Sequence, residues 1–140
     1  IVQINHTCTV KKGSVRGLHF QYPPYAECKL VSCLRGEVYD VALDIRKGSP
    51  TFLRWHGEIL SAANRKSLLI PEGFAHGFQT LADDCELMYL HTAPFCEASE
   101  GAIHIADPRA RVAWPIPVTD VSKRDSRHPF IDRSFQGVDV

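Results

Sequence analysis

The clearest pattern in the chain is an alternation of apolar and polar residues between Lys29 and Arg46. The apolar positions are Val31, Cys33, Tyr39, Val41, Leu43 and Ile45. A turn-like Arg35-Gly36-Glu37 interrupts the alternation, and a period of two is typical of β-strands. The segment therefore predicts a β-hairpin whose second strand has one dry face and one acidic face, the latter carrying Asp40 and Asp44.

Similar short runs lie on both sides of this segment. They cover residues 15–21, 52–60, 67–70, 76–81, 85–92 and 102–106. Turn-forming residues separate them, as in Gly48-Ser49-Pro50 and Pro71-Glu72-Gly73, and only the polar tail after Val118 has a helical pattern. Many short strands with turn signals between them predict a single all-β domain over residues 1–140, an antiparallel jelly roll with a short irregular or helical C-terminal tail.

Composition narrows the class of protein. The chain has 140 residues, enough for one domain with its own core, and 16 Lys and Arg residues balance 16 Asp and Glu residues. A neutral chain has no basic field for nucleic acid or an anionic membrane, so neither is expected as a partner. No apolar stretch is long enough for a bilayer, the N-terminus has no signal pattern, and the five cysteines lack paired spacing. These features predict a cytoplasmic protein with reduced thiols.

Several residues that carry chemistry lie in or near the predicted strands. They are His19, Lys29, His76, Tyr89 and Asp125, with Arg16 and Arg54 as candidates for holding an anion. Strict alternation puts Arg16 and His19 on opposite faces of their strand, because they are three positions apart. Gly17 lies between them and permits a β-bulge that turns both side chains inward.

A metal site is the main alternative for a small β-barrel rich in histidine. Such sites combine a His-x-His pair on one strand with a carboxylate and a later histidine. The corresponding strand here reads His19-Phe20-Gln21, which has no second imidazole, and Glu27 lies beyond a Tyr-Pro-Pro-Tyr turn. We therefore expect acid–base chemistry without a metal.

A series of motifs resembles one known family. The motifs are Arg16-Gly17-Leu18-His19-Phe20-Gln21, Lys29-Leu30-Val31, Gly36-Glu37-Val38-Tyr39-Asp40-Val41-Ala42, Ile70-Pro71-Glu72-Gly73-Phe74-Ala75-His76-Gly77-Phe78 and Trp114-Pro115. Over about Gln3 to Asp125 the chain resembles the dTDP-4-dehydrorhamnose 3,5-epimerases, which are cupin-like jelly rolls. The resemblance implies an enzyme that inverts C3, C5 or both in a nucleotide-linked 4-keto-6-deoxyhexose, without a metal or a redox cofactor.

The same resemblance implies roles for individual residues. His19 matches the base, and Asp125 matches the carboxylate that orients it. Lys29 matches a cation near the C4 oxygen, and Tyr89 matches the acid that returns a proton from the opposite face. The residues expected to bind substrate are Arg16, His76, Gln3, Asn5, Gln21 and Phe95. Arg16 suits a phosphate because its guanidinium presents a planar fork of donors. The resemblance also implies a homodimer that pairs through sheet edges.

The chain departs from the family pattern in three places. Family members begin with a further segment that bears an Asp-x-Arg-Gly motif and contacts the nucleotide, and the chain resembles a short member without it. Phe95 stands where many members have a second tyrosine, and Leu90 replaces a common lysine. Two alternatives therefore stay open. One is a related isomerase that moves the keto group between C3 and C4, and the other is a jelly roll that binds a sugar nucleotide without turnover.

Overall fold

The computed structural model describes all 140 residues and consists of β-strands with two very short helices. The strands are β1 (Gln3–Thr9), β2 (Ser14–Gln21), β3 (Lys29–Arg35), β4 (Glu37–Asp44), β5 (Trp55–Ser61), β6 (Ser67–Ile70), β7 (Phe74–Thr80), β8 (Cys85–His91), β9 (Glu100–Ala102) and β10 (Asp120–Val121). The helices are a 3₁₀ turn at Glu97–Ser99 and α1 at Lys123–Ser126. The prediction of an all-β domain with a mostly irregular C-terminal tail is confirmed.

The strands form two sheets that pack face to face. One sheet has the order β1-β8-β3-β6, and the other has the order β10-β2-β7-β4-β5, with β9 also paired to β2. Apart from the parallel pair β10–β2, the strands pair antiparallel. Val31 and Leu87 of the first sheet pack against Leu60 and Phe78 of the second in one buried cluster. This is the two-layer arrangement of the predicted jelly roll.

The larger sheet is covered on both faces, which changes the interpretation of β4. The residues that form a second core beneath it are Leu18, Phe20, Val41, Leu43, Ile45, Ala75, Ile103, Ala110 and Val138. The acidic face predicted for β4 exists, but Asp40 is 0% and Asp44 1% exposed. Each carboxylate has partners inside the protein, Asp40 with His76 and Asp44 with Arg46. Polar residues that alternate along a strand are exposed to solvent only where nothing covers that face of the sheet.

The predicted hairpin of β3 and β4 is wrong. The two strands belong to different sheets, because β3 pairs with β6 and β8 while β4 pairs with β5 and β7. Gly36 between them has a φ of +77°, and a Cβ at this position would lie 2.8 Å from the Cys85 Sγ atom. Glycine therefore allows the chain to cross tightly from one sheet to the other.

Two further strands are displaced from their predicted bounds. Phe52 and Leu53 belong to a turn in which Leu53 has a φ of +60°, so β5 begins only at Trp55. The run predicted at 102–106 is a strand only to Ala102. Beyond it the chain becomes irregular, with Ile103 still buried in the second core. In both places the apolar residues pack against the protein although they do not belong to a strand.

The cysteines and the helices agree with the simplest expectations. All five cysteines are free, so the prediction of unpaired thiols is confirmed. Burial, followed by the proximity of Cys85, raises the pKa of the Cys33 thiol, which keeps this thiol protonated and unreactive. The longer of the two helices has four residues, and no helix in the structure could cross a lipid bilayer.

Candidate active site

The β-bulge predicted at Gly17 is present in β2. Arg16 lies opposite Phe78 of β7 and His19 lies opposite His76, so β2 contains one extra residue between these two pairs. Gly17 has a φ of +125°, and a Cβ at this position would lie 2.6 Å from the backbone of β7. The bulge directs Arg16 and His19 into one cavity, as the sequence predicted.

This cavity lies between the two sheets and has a volume of about 450 Å³, a size that suits a small molecule. The predicted site residues that line it are Gln3, Asn5, Arg16, His19, Gln21, Lys29, His76, Tyr89 and Phe95. Asp125 lies directly behind His19 in α1. Arg54 lies in a separate groove with Trp55 and Arg111, so the structure does not bring this candidate into the site.

His19 and Asp125 form a short hydrogen-bonded pair. The His19 Nε2 atom is 2.6 Å from Asp125 Oδ1, and the backbone N–H of Gly17 donates to Asp125 Oδ2 at 3.1 Å. Asp125 is buried at the start of α1, where its own N–H donates to the Ser122 hydroxyl that caps the helix. An ionised carboxylate can only accept, so the neutral His19 ring carries its proton on Nε2 and presents an unprotonated Nδ1. The base predicted from the sequence therefore has an oriented ring with one basic atom.

A second imidazole shares the same carboxylate. The His128 Nε2 atom is 2.9 Å from Asp125 Oδ1, and its ring packs edge-on against His19 with 5.4 Å between centroids. Burial raises the pKa of Asp125, but the hydrogen bond and charge of His19, the Gly17 N–H and His128 outweigh burial and hold this pKa well below its usual range. Asp125 therefore stays ionised and stabilises a proton gained by His19. Sequence reasoning found nothing to select His128.

The His19, Asp125 and His128 cluster also has metal-ligand chemistry, since its donor atoms all lie within 4.8 Å of one another. Both imidazole Nε2 atoms, however, are directed at a single oxygen of Asp125, at 2.6 and 2.9 Å. These are hydrogen-bond distances that account for the convergence of the three side chains. The geometry fits a carboxylate that orients histidines better than it fits a coordination sphere.

The lowered pKa of Asp125 predicts how acid affects stability. A carboxylate with a lower pKa in the folded chain stabilises the fold above its unfolded pKa, and this contribution is lost as the pH falls through the folded value. Asp125→Asn removes this contribution. We expect its free energy of unfolding to fall less steeply than that of the wild type below about pH 4, as measured by urea unfolding across pH.

Asp139→Asn is a suitable control for this measurement, because the Asp139 side chain is 84% exposed. It should reproduce the wild-type pH dependence. An Asp125→Asn curve that ran parallel to the wild type would contradict the assigned environment of this carboxylate.

Tyr89 lies on the opposite wall of the cavity, in β8 of the four-stranded sheet. Its ring contacts His76 edge-on at 5.9 Å between centroids and stacks with His91 at 6.1 Å. Burial raises the pKa of Tyr89, and the negative charge of Asp40 raises it further. The phenol therefore stays protonated and is available as a proton donor.

His76 is fixed by Asp40, a residue that sequence reasoning placed only on the acidic face of β4. The His76 Nε2 atom is 2.7 Å from Asp40 Oδ1, and both side chains are buried. Because Asp40 and His76 lie on neighbouring strands of the larger sheet, this pair supports the contact of His76 with Tyr89. The buried position of Asp40 becomes visible only once the smaller sheet is known to cover this face of β4.

Lys29 is held by Glu27, which in turn binds His91. The Lys29 Nζ atom is 3.3 Å from Glu27 Oε1, and His91 Nδ1 is 2.8 Å from Glu27 Oε2. All three side chains line the cavity. His91 was missed by sequence reasoning, although alternation along β8 places it on the same face as Tyr89. That periodicity was the signal that could have identified it.

The predicted substrate-binding residues have further contacts. Arg16 Nη2 donates to Asp120 Oδ2 at 2.8 Å, and this hydrogen bond lowers the pKa of Asp120. The amide of Gln21 donates to the carbonyl of Tyr25 and accepts from the N–H of Cys96, which ties two loops to β2. The side-chain amide of Gln3 donates to Asn5 Oδ1 at 3.0 Å and accepts from the N–H of Phe95 at 2.9 Å, so it binds two neighbouring site residues.

The arrangement has a clear chemical capability. The oriented imidazole of His19 comes from the larger sheet, whereas the protonated phenol of Tyr89 and the ammonium of Lys29 come from the smaller sheet. A molecule held between these walls is exposed to a base on one side and to an acid on the other. The cation can stabilise negative charge that develops between them.

Comparison with known proteins finds one family for this chain. The family model for dTDP-4-dehydrorhamnose 3,5-epimerase matches residues 1–133. The dTDP-4-dehydrorhamnose 3,5-epimerase of Salmonella typhimurium is 47% identical over 135 residues, which is 96% of this chain and 73% of that protein. The similarity thus extends over nearly three quarters of the length of this relative.

Solved structures show the same similarity. An epimerase of this name from Bacillus anthracis, with TDP and PPi bound, has a TM-score of 0.90 and 39% identity, covering 93% of this chain and 74% of that chain. A dTDP-6-deoxy-D-glucose-3,5-epimerase from Legionella pneumophila, in complex with dTDP-4-keto-L-rhamnose, has a TM-score of 0.89 and 41% identity. This match covers 98% of this chain and 74% of that chain. A 4-keto-6-deoxy sugar epimerase from Streptomyces spheroides has a TM-score of 0.88 and 36% identity, covering 92% of this chain and 64% of that chain.

Proposed function

The chain belongs to the dTDP-4-dehydrorhamnose 3,5-epimerase family, and we propose that it epimerises a dTDP-linked 4-keto-6-deoxyhexose at C3, C5 or both. The observation that carries this proposal is the placement of His19 with Asp125 on one wall of the cavity and of Tyr89 on the other. Inversion beside a ketone needs a base and an acid on opposite faces of the sugar ring. The two walls supply one group each.

The proposed reaction proceeds in two proton transfers. His19 Nδ1 removes a proton from a carbon next to the C4 ketone, and Asp125 stabilises the positive imidazole that forms. The electron pair of the broken C–H bond moves to the C4 oxygen as an enolate, whose charge Lys29 stabilises. Tyr89 then donates its proton to the other face of the same carbon as the C4 ketone re-forms, which inverts the centre. To complete the cycle, His19 releases its extra proton to solvent and Tyr89 takes one proton from solvent.

We assign substrate binding to the remaining residues around the cavity. Arg16 is partly exposed, and a phosphate oxygen could replace Asp120 on its guanidinium. The other residues assigned to sugar or nucleotide contacts are His76, Gln3, Asn5, Gln21 and Phe95. Relatives solved with TDP or with dTDP-4-keto-L-rhamnose support a nucleotide sugar as the substrate class.

We propose that the reaction requires neither a metal nor an organic cofactor, because the four reacting groups are protein side chains. The test is ¹H NMR of dTDP-4-keto-6-deoxyglucose incubated with the protein in the presence of EDTA. Inverted centres at C3 or C5 support the proposal. A shift of the ketone from C4 to C3 would instead establish a keto-sugar isomerase. Turnover only in the absence of EDTA would contradict the proposal that no metal is required, and a bound sugar that stays unchanged with and without EDTA would establish a binding protein.

We further propose a homodimer that forms through the edge of the four-stranded sheet. β1 is the edge strand, and Val2 and Ile4 beside this edge are 63% and 64% exposed. A second copy paired there would cover the open edge and these apolar side chains. Light scattering after gel filtration should give twice the 15.7 kDa mass of the chain.

Substitution at the two edges of the sheet locates the interface. Ile4→Lys should produce the single-chain mass, whereas Leu69→Lys on β6 at the other edge, where the leucine is 61% exposed, should keep the dimer. A single-chain mass for the wild-type protein would contradict the proposed dimer.

We also propose that the protein works in the cytoplasm. All five cysteines are free thiols in the fold, and a reducing compartment keeps them so. Thiol titration of the unfolded protein, purified without reductant, should find all five thiols reactive, and pairing of any of them would contradict this location.

A further inference from the structure

His91 is the one imidazole lining the cavity with a buried ring nitrogen that has no hydrogen-bond partner. Its side chain is 9% exposed, and its Nδ1 atom is engaged by Glu27 Oε2 at 2.8 Å. The Nε2 atom on the other side of the ring is buried and has no hydrogen-bond partner. A buried polar atom without a partner carries a free-energy cost that a ligand can remove.

The surroundings of His91 determine what its free nitrogen can bind. Glu27 is paired with Lys29, and its ionised carboxylate only accepts hydrogen bonds, so the Nδ1 atom of His91 carries the proton of the neutral ring. Nε2 is then an acceptor. An acceptor matches a hydroxyl group and does not match a phosphate or ketone oxygen, neither of which has a proton to donate.

The position of His91 places this acceptor among the groups proposed to bind the sugar. His91 lies opposite Lys29 on one neighbouring strand and opposite Gln3 on the other, and its ring stacks with Tyr89. A 4-keto-6-deoxyhexose held between Lys29 and Tyr89 offers hydroxyl donors only at C2 and C3.

We propose that His91 is a specificity-determining residue whose Nε2 accepts a hydrogen bond from the C2 or C3 hydroxyl of the hexose. Glu27 acts as the positioning residue, since it fixes the proton on Nδ1. This inference rests on the proposed function for the class of substrate. It adds a contact that selects for a hydroxyl-bearing sugar, made by His91 and oriented by Glu27, both outside the His19, Asp125, Tyr89 and Lys29 set.

Two matched variants isolate the Nε2 atom. Asparagine places an amide nitrogen near the Nδ1 position of histidine and has nothing at Nε2, whereas glutamine reaches the Nε2 position. His91→Asn should therefore lose the hydroxyl contact and keep the contact with Glu27, and His91→Gln should retain the hydroxyl contact. His91→Phe keeps the stacking with Tyr89 and should lose the hydroxyl contact as well, which provides a second variant if His91→Asn does not fold.

The experiment is calorimetric binding of dTDP, dTDP-glucose and the 2-deoxy and 3-deoxy analogues of dTDP-glucose. The wild type should bind dTDP-glucose about 5-fold more tightly than the analogue that lacks the contacted hydroxyl, as expected for one neutral hydrogen bond. This ratio should fall to about 1 in His91→Asn and in His91→Phe, and it should persist in His91→Gln. Affinity for dTDP itself should be the same in all of these proteins.

The outcomes separate this inference from the proposed function. An undiminished ratio in His91→Asn or His91→Phe, or equal wild-type affinity for all three sugars, overturns the role of His91. Turnover of the keto sugar by the wild type would in that case leave the epimerase intact. A ratio that depends on His91 in a protein without turnover would retain the binding role and overturn the reaction.

Discussion

Replacing His19 with alanine is expected to lower the rate of epimerisation by about a thousand-fold. His19 is the proposed base on its wall of the cavity, and Asp125, whose pKa is, despite burial, held low by His19, is placed to stabilise the proton that it would gain. Without the imidazole, the carbon next to the ketone has no positioned group to accept its proton. Initial rates of NMR-detected inversion with dTDP-4-keto-6-deoxyglucose, compared between the variant and the wild type, measure the effect.

The loss in His19→Ala should not arise from unfolding. Asp125 keeps its hydrogen bonds from the Gly17 N–H and from His128 when His19 is removed, so the buried carboxylate is not left alone. His56→Ala is the matched control, since the His56 side chain is 65% exposed and lies outside the cavity. Turnover within a few-fold of the wild type in a folded His19→Ala protein would rule out His19 as the base.

Tyr89→Phe is expected to reduce inversion by about a hundred-fold while proton removal continues. The variant keeps the ring that packs between His76 and His91 and loses only the protonated hydroxyl. The imidazolium of His19 exchanges its proton with solvent, and the enolate then takes a solvent-derived proton from His19 on the face from which the first was removed, which restores the original centre. The expected result is deuterium exchange at C3 or C5 without inversion, as measured by NMR in heavy water.

The control for this variant is Tyr22→Phe, because Tyr22 is 44% exposed and lies outside the cavity. It should exchange and invert at wild-type rates. If Tyr89→Phe instead lost exchange and inversion to the same extent, the phenol would not be the acid of the second step, and both transfers would have to depend on the same group.

The period-two pattern located most of the strands but could not state how they pair. Alternation reports that one side of a strand is drier than the other, and this is a local property of the segment. At Gly36 the chain crosses from one sheet to the other, and this crossing decides the partners of β3 and β4. In the sequence, such a crossing and a hairpin have the same pattern, which is two adjacent strands joined by a glycine turn. The burial of Asp40 likewise depends on the smaller sheet, which covers the face of β4 that Asp40 shares with Val38 and Ala42.

The sequence predicted the part of the site in which one residue type, glycine, permits an unusual backbone conformation. Gly17 was the only position between Arg16 and His19 at which a bulge was expected, and the structure places it there. His91 and Glu27 are 64 residues apart. Alternation along β8 places His91 on the face of Tyr89, but no pattern in the sequence brings Glu27 to it. Their meeting depends on the pairing of β3 with β8. Contacts of this kind become visible only when the strand register is known.

One measurement tests the central claim most directly: the uptake of solvent deuterium by dTDP-4-keto-6-deoxyglucose during incubation with the wild-type protein in heavy water. The proposed mechanism predicts deuterium at C3, C5 or both, in inverted centres, with none at C2 and none above the uncatalysed rate in His19→Ala. A wild-type protein that binds the nucleotide sugar by calorimetry and introduces no deuterium at either carbon would contradict the account.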